Sequence, residues 1–180
     1  MALPNRIVNF WLEQPAEKYF QKDEKFDAEI TDKYALHVRR AAGGDYYKEW
    51  REQPKSTLAL ILLLDQFSRN VYRNSPLAYS GDEQARYLAR LSVKEGYDKE
   101  FETEHRQWFY LPLMHSENLQ DQDYGIELFE KAGLEDNLKF AREHSEIITR
   151  FGRFPHRNKV LGRKSTPEEI EYLSNGGFTG

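Results

Sequence analysis

The sequence predicts an all-α protein of about eight or nine helices in a single domain over residues 1–180. Three observations predict it. Apolar residues recur three and four apart through most of the chain. No alternation of period two lasts more than a few residues. Capping residues, glycines and prolines mark helix starts and stops at short intervals. A chain of 180 residues, 39% hydrophobic and 14% aromatic, is long enough to bury one substantial core.

Residues 5–13 open with Ile7, Phe10 and Trp11 at helical spacing, and Pro15 interrupts them. Residues 27–42 form the clearest helix. Phe26, Ile30, Tyr34, His37 and Ala41 share its stripe, and Gly43-Gly44 stops it. Residues 45–50 read as a short helix or turn ended by Pro54. Ser56 or Thr57 is expected to cap a helix over 58–70, whose first seven residues are all apolar and so buried on every side. A buried strand competes for so short an apolar run, and the leucine content decides for helix.

Ser75-Pro76 can begin a helix, and residues 82–94 form one ended by Gly96. Residues 98–109 follow as a further helix, with 110–114 a bend at Pro112. Ser116 is expected to cap a helix over 117–131, closed by Gly133. Residues 135–151 carry Phe140, His144, Ile147, Ile148 and Phe151 on one stripe, and Gly152 ends them. Residues 153–164 read as an irregular loop. Thr166-Pro167-Glu168-Glu169 is a capping-box start for a short last helix with Ile170 and Leu173 inward.

The absence of cysteine excludes disulfides and thiolate metal sites. The first ten residues lack a basic region followed by a long apolar core, and the longest apolar run, 58–64, is too short to span a bilayer. The sequence therefore predicts a cytoplasmic protein without membrane contact. Its net charge of −4 argues against bulk nucleic acid as a partner.

Against that acidic background, residues 150–164 hold six basic side chains and no acid, so removing their +6 from the net −4 leaves −10 elsewhere. Such an island is a local device, beyond what solubility requires. Arg150, Arg153, Arg157 and Arg163 offer planar forks for carboxylate or phosphate, and Gly152, Pro155 and Gly162 fix the loop's path. The same arginines can equally cap helix carbonyls and bridge to acids. Asp65 and Arg69 are four apart in the favoured ion-pair order, with Asn70 next toward the helix end. They pin the helix or orient a pocket. His115 and Glu117 flank Ser116 at an expected helix start, where the dipole disfavours an imidazolium. His144 lies on an apolar stripe, either as a core histidine or as a proton carrier. Standard hydrolase, nucleotide and zinc signatures are missing, and the spacing of His115, Glu117, His144 and Asp65 demands no metal. These four could form a non-thiolate metal site if their helices converge, and the sequence names no cofactor.

Phe10-Trp11, the block 64–70 (LDQFSRN), the block 111–117 (LPLMHSE) and RFGRFPHRN at 150–158 with Leu161-Gly162-Arg163 resemble the bacterial family called domain of unknown function 924. The resemblance spans nearly the whole chain in the same order. It implies stacked antiparallel hairpins of a tetratricopeptide-like kind and carries no established activity. Ser68 stands where the family's common form has proline.

Two functions follow. One is a site for a small anionic molecule, catalytic or not. Arg69, Asn70, Glu117, Arg150, Arg153, His156, Arg157 and Arg163 would hold the ligand, while His115, His144 and Asp65 handle protons. The other is a tetratricopeptide-like module that docks a peptide or protein, its polar blocks serving as scaffolding. RNA is a weaker third partner.

Overall fold

The computed structural model describes residues 1–180, and every regular element in it is helical. Helix α1 (Leu3–Leu12) buries Ile7, Val8 and Trp11. After the single turn α2 (Glu17–Phe20), Asp23 caps α3 (Glu24–Ala42) by accepting from the N–H groups of Lys25 and Phe26. Helix α3 buries Phe26, Ile30, Tyr34, Val38 and Ala41, so Val38 takes the inward place expected of His37.

A single-turn helix, α4 (Tyr47–Trp50), leads to a continuous rod made of α5 (Pro54–Ile61), a π-helical stretch (Leu62–Phe67) and α6 (Ser68–Val71). The rod starts at Pro54, four residues before the expected start. Proline fits the first helical turn, where its missing N–H is no loss. Ser56 and Thr57 consequently lie inside the helix, and their hydroxyls donate to the Trp50 carbonyl at 2.8 and 3.0 Å. The apolar run 58–64 is buried on all sides, as a central rod requires. Helix α1 packs on α5, and α3 packs on α6 and the π stretch.

Helix α7 (Asp82–Glu95) packs on α5, and its approach depends on Gly81. A Cβ there would fall 2.7 Å from the Leu64 carbonyl oxygen and 2.9 Å from its Cδ2. The helix expected over 98–109 is instead two 3-10 turns, Tyr97–Glu100 and Thr103–His105, followed by α8 (Gln107–Met114). Phe101 is extended, which breaks the run. The expected bend at Pro112 is helical, since every residue from Trp108 to Met114 is buried in the middle of the molecule. That burial offsets the one backbone bond proline forfeits.

Helices α9 (Leu119–Ala132) and α10 (Glu135–Phe151) follow, each joined by a short turn to the helix it packs on. Asn118, and not Ser116, caps α9. Ser116 instead donates its hydroxyl to Asp121 at 2.6 Å. On α10 the inward stripe is Leu138, Ala141, His144 and Ile148, and Phe140 is 53% exposed. Helix α11 (Pro167–Ser174) has the expected capping box, but Ile170 is 55% exposed and Glu169 is buried in its place.

The core is one cluster of 31 buried residues. Its centre is aromatic: Trp11 meets Phe67 at 5.2 Å and Trp108 edge-on at 5.3 Å, while Tyr46 stacks on Trp50 at 4.2 Å. The eight helices of eight or more residues, counting the 54–71 rod as one, match the expected number. None is long and apolar enough to cross a membrane.

Candidate functional site

The polar cluster begins where the rod is π-helical. The Ser68 N–H reaches back five residues to the Leu63 carbonyl. Such wide turns re-aim side chains and recur at functional sites. Here Asp65, only 1% exposed, follows five leucine or isoleucine residues, so its carboxylate must find partners inside the protein. Gln66 Nε2 donates to its Oδ2 at 2.6 Å, and Nδ1 of His115 lies 2.8 Å from its Oδ1.

His115 is not at a helix start. It is the C-terminal cap of α8, with its N–H on the Leu111 carbonyl. That end of a helix favours positive charge, the reverse of the sequence expectation.

Arg69 lies one turn beyond Asp65. It forks onto Asp82 at 2.9 and 3.0 Å, and Nη1 also donates to the Asp65 carbonyl at 2.7 Å. Burial weighs against its charge, but Asp82 and Asp65 outweigh burial and hold its pKa above the ordinary value. The close approach at Gly81 is what brings Asp82, the next residue, to this guanidinium.

The basic loop closes over these groups through Glu117. Because α9 starts at Leu119, Glu117 stays outside the helix. Its carboxylate accepts from Arg163 Nη1 at 2.8 and 3.1 Å and from the Phe154 N–H at 2.7 Å. Arg163 also donates to Asn158 Oδ1 and the Phe154 carbonyl. Arg153 forks onto Glu169 at 2.7 and 2.9 Å, and Asn158 donates to the same carboxylate. These contacts fold the loop into a 3-10 turn, Pro155–Arg157, and aim Arg157 inward.

Arg157 is 6% exposed, yet of its five N–H donors only one is used: Nη2 donates to the His115 carbonyl at 2.8 Å. Nη1 stops 3.8 Å from Asp82 and 3.9 Å from Glu117, beyond hydrogen-bond reach, and Nε is buried without a partner. The guanidinium lies 4.7 Å from the Tyr79 ring and 4.6 Å from the Phe154 ring. Burial and the nearby Arg69 charge lower its pKa, with Asp82, Glu117 and Tyr79 opposing.

Beside it stand two neutral histidines. His144 has Nδ1 on the Phe140 carbonyl at 2.8 Å, which makes that nitrogen the donor and leaves Nε2 with a lone pair. Burial, then the charges of His115 and Arg157, push its pKa down to about 4, although the Phe140 bond raises it. Burial and then Arg157 push His156 down to about 3, with His144, Arg69 and His115 adding to the effect. His156 Nδ1 is buried and unpartnered.

The structure therefore gathers Asp65, Arg69, His115, Glu117, His144, His156, Arg157 and Arg163. It places three others elsewhere. Asn70 donates to Asp27 at 2.8 Å, Arg150 pairs with Glu168 on the surface, and Arg153 is occupied by Glu169. Two members had no sequence signal pointing to a site. Asp82 reads as an ordinary acid in the first turn of a helix, and Tyr79 as a loop aromatic. Two surface grooves lie apart from this chemistry. One of about 520 Å³, between Leu12 and Phe101, has only Lys55 and Glu100 as charged lining.

Fold and cluster together define an all-helical protein with a partly buried network of three carboxylates, three arginines and three histidines beside its apolar core. The chain belongs to the family described as bacterial protein of unknown function DUF924, whose model matches residues 7–177. Among solved structures it is similar to a protein of unknown function, ATU0120, from Agrobacterium tumefaciens. The two are 40% identical over 97% of this chain and 98% of that one, with a TM-score of 0.90. No curated protein matches the sequence.

Proposed function

We propose that the cluster binds a small anionic molecule, whose carboxylate or phosphate is received by Arg157, and that His115 moves a proton on it. The observation that carries this reading is the unmade hydrogen bonding of Arg157. A buried guanidinium with one of five donors used is costly, and the neighbouring Arg69, Arg153 and Arg163 are all forked or bridged. An anion between Arg157 Nη1, Nε and His156 would satisfy donors that the protein leaves open.

The proton chemistry follows from the Asp65–His115 pair. In the neutral ring with Nδ1–H on the carboxylate, the lone pair is on Nε2, the arrangement that makes an imidazole an oriented general base. His144 presents an Nε2 acceptor in the same way. The loop arginines divide by role: Arg157 faces the ligand, while Arg153 and Arg163 hold the loop.

A second reading keeps the chain as a tetratricopeptide-like module that docks a peptide. The serial packing of α7 on α8, α8 on α9 and α9 on α10 favours it. A cytoplasmic location suits either reading, since a chain without cysteine needs no oxidising compartment.

The test is thermal unfolding against phosphate, pyrophosphate, nucleotides, phosphosugars and di- and tricarboxylates. A compound at about 100 times its dissociation constant adds ~2.7 kcal/mol, roughly 5–10 °C for a domain of this size. The shift is expected in the wild type and in Arg153→Gln, and lost in Arg157→Gln. No shift with any anion, or a shift that survives Arg157→Gln, overturns the reading.

A further inference from the structure

The segment that follows α11 crosses the cluster instead of leaving the molecule. Residues 175–180 read Asn-Gly-Gly-Phe-Thr-Gly, with one apolar side chain among them. Gly176 has φ +81, which turns the chain back. Gly177 then passes tight over Tyr172, where a Cβ would fall 2.6 Å from the carbonyl oxygen and from the ring. The Gly177 N–H donates to the Tyr172 carbonyl at 2.9 Å, and the Phe178 N–H to the Tyr172 hydroxyl at 3.0 Å. Tyr172 itself is a firm mount, packed on Phe151 at 5.0 Å at the end of α10.

From that mount the Phe178 ring reaches both neutral histidines. Its centroid lies 4.7 Å from His144 and, edge-on, 5.0 Å from His156. The backbone continues until Gly180 lies against the His156 ring, its Cβ position 3.1 Å from Cδ2 and 3.3 Å from Nε2. The segment thus covers the imidazole whose Nδ1 is buried and unpartnered.

We propose that residues 175–180 form a strap that opens and closes the cluster, with Phe178 as its latch; the proposal rests on the reading of the cluster as a ligand site. The strap is weakly held on one side and well mounted on the other. Beyond Gly177 it makes one hydrogen bond and one aromatic contact set, and Thr179 makes no hydrogen bond. Segments with so few contacts open locally without global unfolding. Opening exposes the edges of His144 and His156 together. Closing removes them from water, which strengthens their interaction with any anion at Arg157.

The five histidines make the test internal to the full chain. Diethyl pyrocarbonate modifies accessible neutral imidazoles, and peptide mass spectrometry assigns the rate to each. In Phe178→Ala, His144 and His156 should react about tenfold faster or more than in the wild type, the scale expected from losing two aromatic contacts. His37, held by Tyr46, and His105, beside Glu104, make no ring contact with Phe178 and should keep their rates, and Phe178→Trp should keep His144 and His156 slow. Equal His144 and His156 rates in wild type and Phe178→Ala overturn the strap. So does a uniform rise at all five histidines with a lowered Tm, which makes Phe178 a structural staple. Inorganic phosphate separates the two proposals. Faster modification in Phe178→Ala with no phosphate-dependent protection or thermal shift leaves the strap standing and removes the anion reading.

Discussion

Nδ1 of His115 and Oδ1 of Asp65 meet at 2.8 Å across 50 residues of sequence. The contact ties the end of α8 to the widened turn of the central rod. It also fixes the ionisation of a carboxylate that burial alone would neutralise. Burial pushes Asp65 up, but the charges of His115 and Arg69, with hydrogen bonds from His115 and Gln66, hold it down at about 2.

Acid should therefore destabilise the protein in two stages. His144 and His156 are lowered from 6.5 to about 4 and about 3, so the unfolded chain binds their protons first. Stability falls as pH drops below about 6.5, with a slope approaching two protons. Asp65 and Glu169 are both held at about 2, Glu169 chiefly by its Arg153 hydrogen bond against burial. What they contribute is complete above their unfolded values and is lost as pH falls from about 4 toward 2. Tm measured from pH 8 to pH 3 should show the first stage, and His156→Asn should halve its slope. A Tm that is flat down to pH 4 would remove the buried neutral histidines from this account.

Gly81→Ala should separate α7 from the rod. The new methyl would meet the Leu64 carbonyl and side chain, and the backbone must shift to relieve it. A loss of about 1–3 kcal/mol in urea unfolding is expected. The shift would also draw Asp82 off Arg69, so chemical shifts of the Arg69 guanidinium should move. Unchanged stability would mean the approach is looser than described.

Ser68→Pro should be mild for a proline inside a helix. The residue's φ of −57° suits the pyrrolidine ring. In the π turn the residue's N–H goes to Leu63, leaving the Leu64 carbonyl to accept from the Ser68 hydroxyl at 2.7 Å. Proline forfeits both bonds, yet it avoids most of the usual clash with the carbonyl four residues back. A cost of about 1–2 kcal/mol is expected in denaturant titration, against ~3 or more in a regular helix.

Glu117→Gln should loosen the basic loop while leaving the core intact. The carboxylate is the shared acceptor of Arg163 and the Phe154 N–H. Losing its charge weakens two charge-assisted bonds, about 1–3 kcal/mol together. Hydrogen exchange should accelerate across residues 152–165 and stay slow in α3 and α5. Acceleration throughout would show that the loop is part of the global folding unit.

Helix number and most boundaries were legible because apolar spacing and caps act locally. Several misreadings arise where a polar side chain is claimed by a distant partner. Ser116 and Asn118 are both good caps, and the choice fell to Asn118 because Ser116 is drawn to Asp121. Ile170 stands outside because Glu169, polar by type, is needed inside for the loop, and on α10 Leu138 and Ala141 take the inward place beside His144 that was expected of Phe140. The site was half legible for the same reason. The basic island and the Asp65-Arg69 pair are local patterns. Which acid neutralises which arginine is decided by helices brought together from distant sequence, so Arg153 went to Glu169 and only Arg157 was left with open donors.

The aromatic core has an optical consequence. Trp11, Trp50 and Trp108 are the molecule's three indoles; all are buried, and none lies beyond residue 108. Their emission should be blue-shifted, and its red shift on denaturation follows the packing of α1, α4, α5 and α8. The loop that carries Arg157 and the strap that carries Phe178 contain no indole. Release of either half of the polar cluster should pass without a change in tryptophan colour, while the histidine ring protons report it. The protein is spectroscopically two-toned, and following both signals in one titration separates melting of its scaffold from opening of its chemistry.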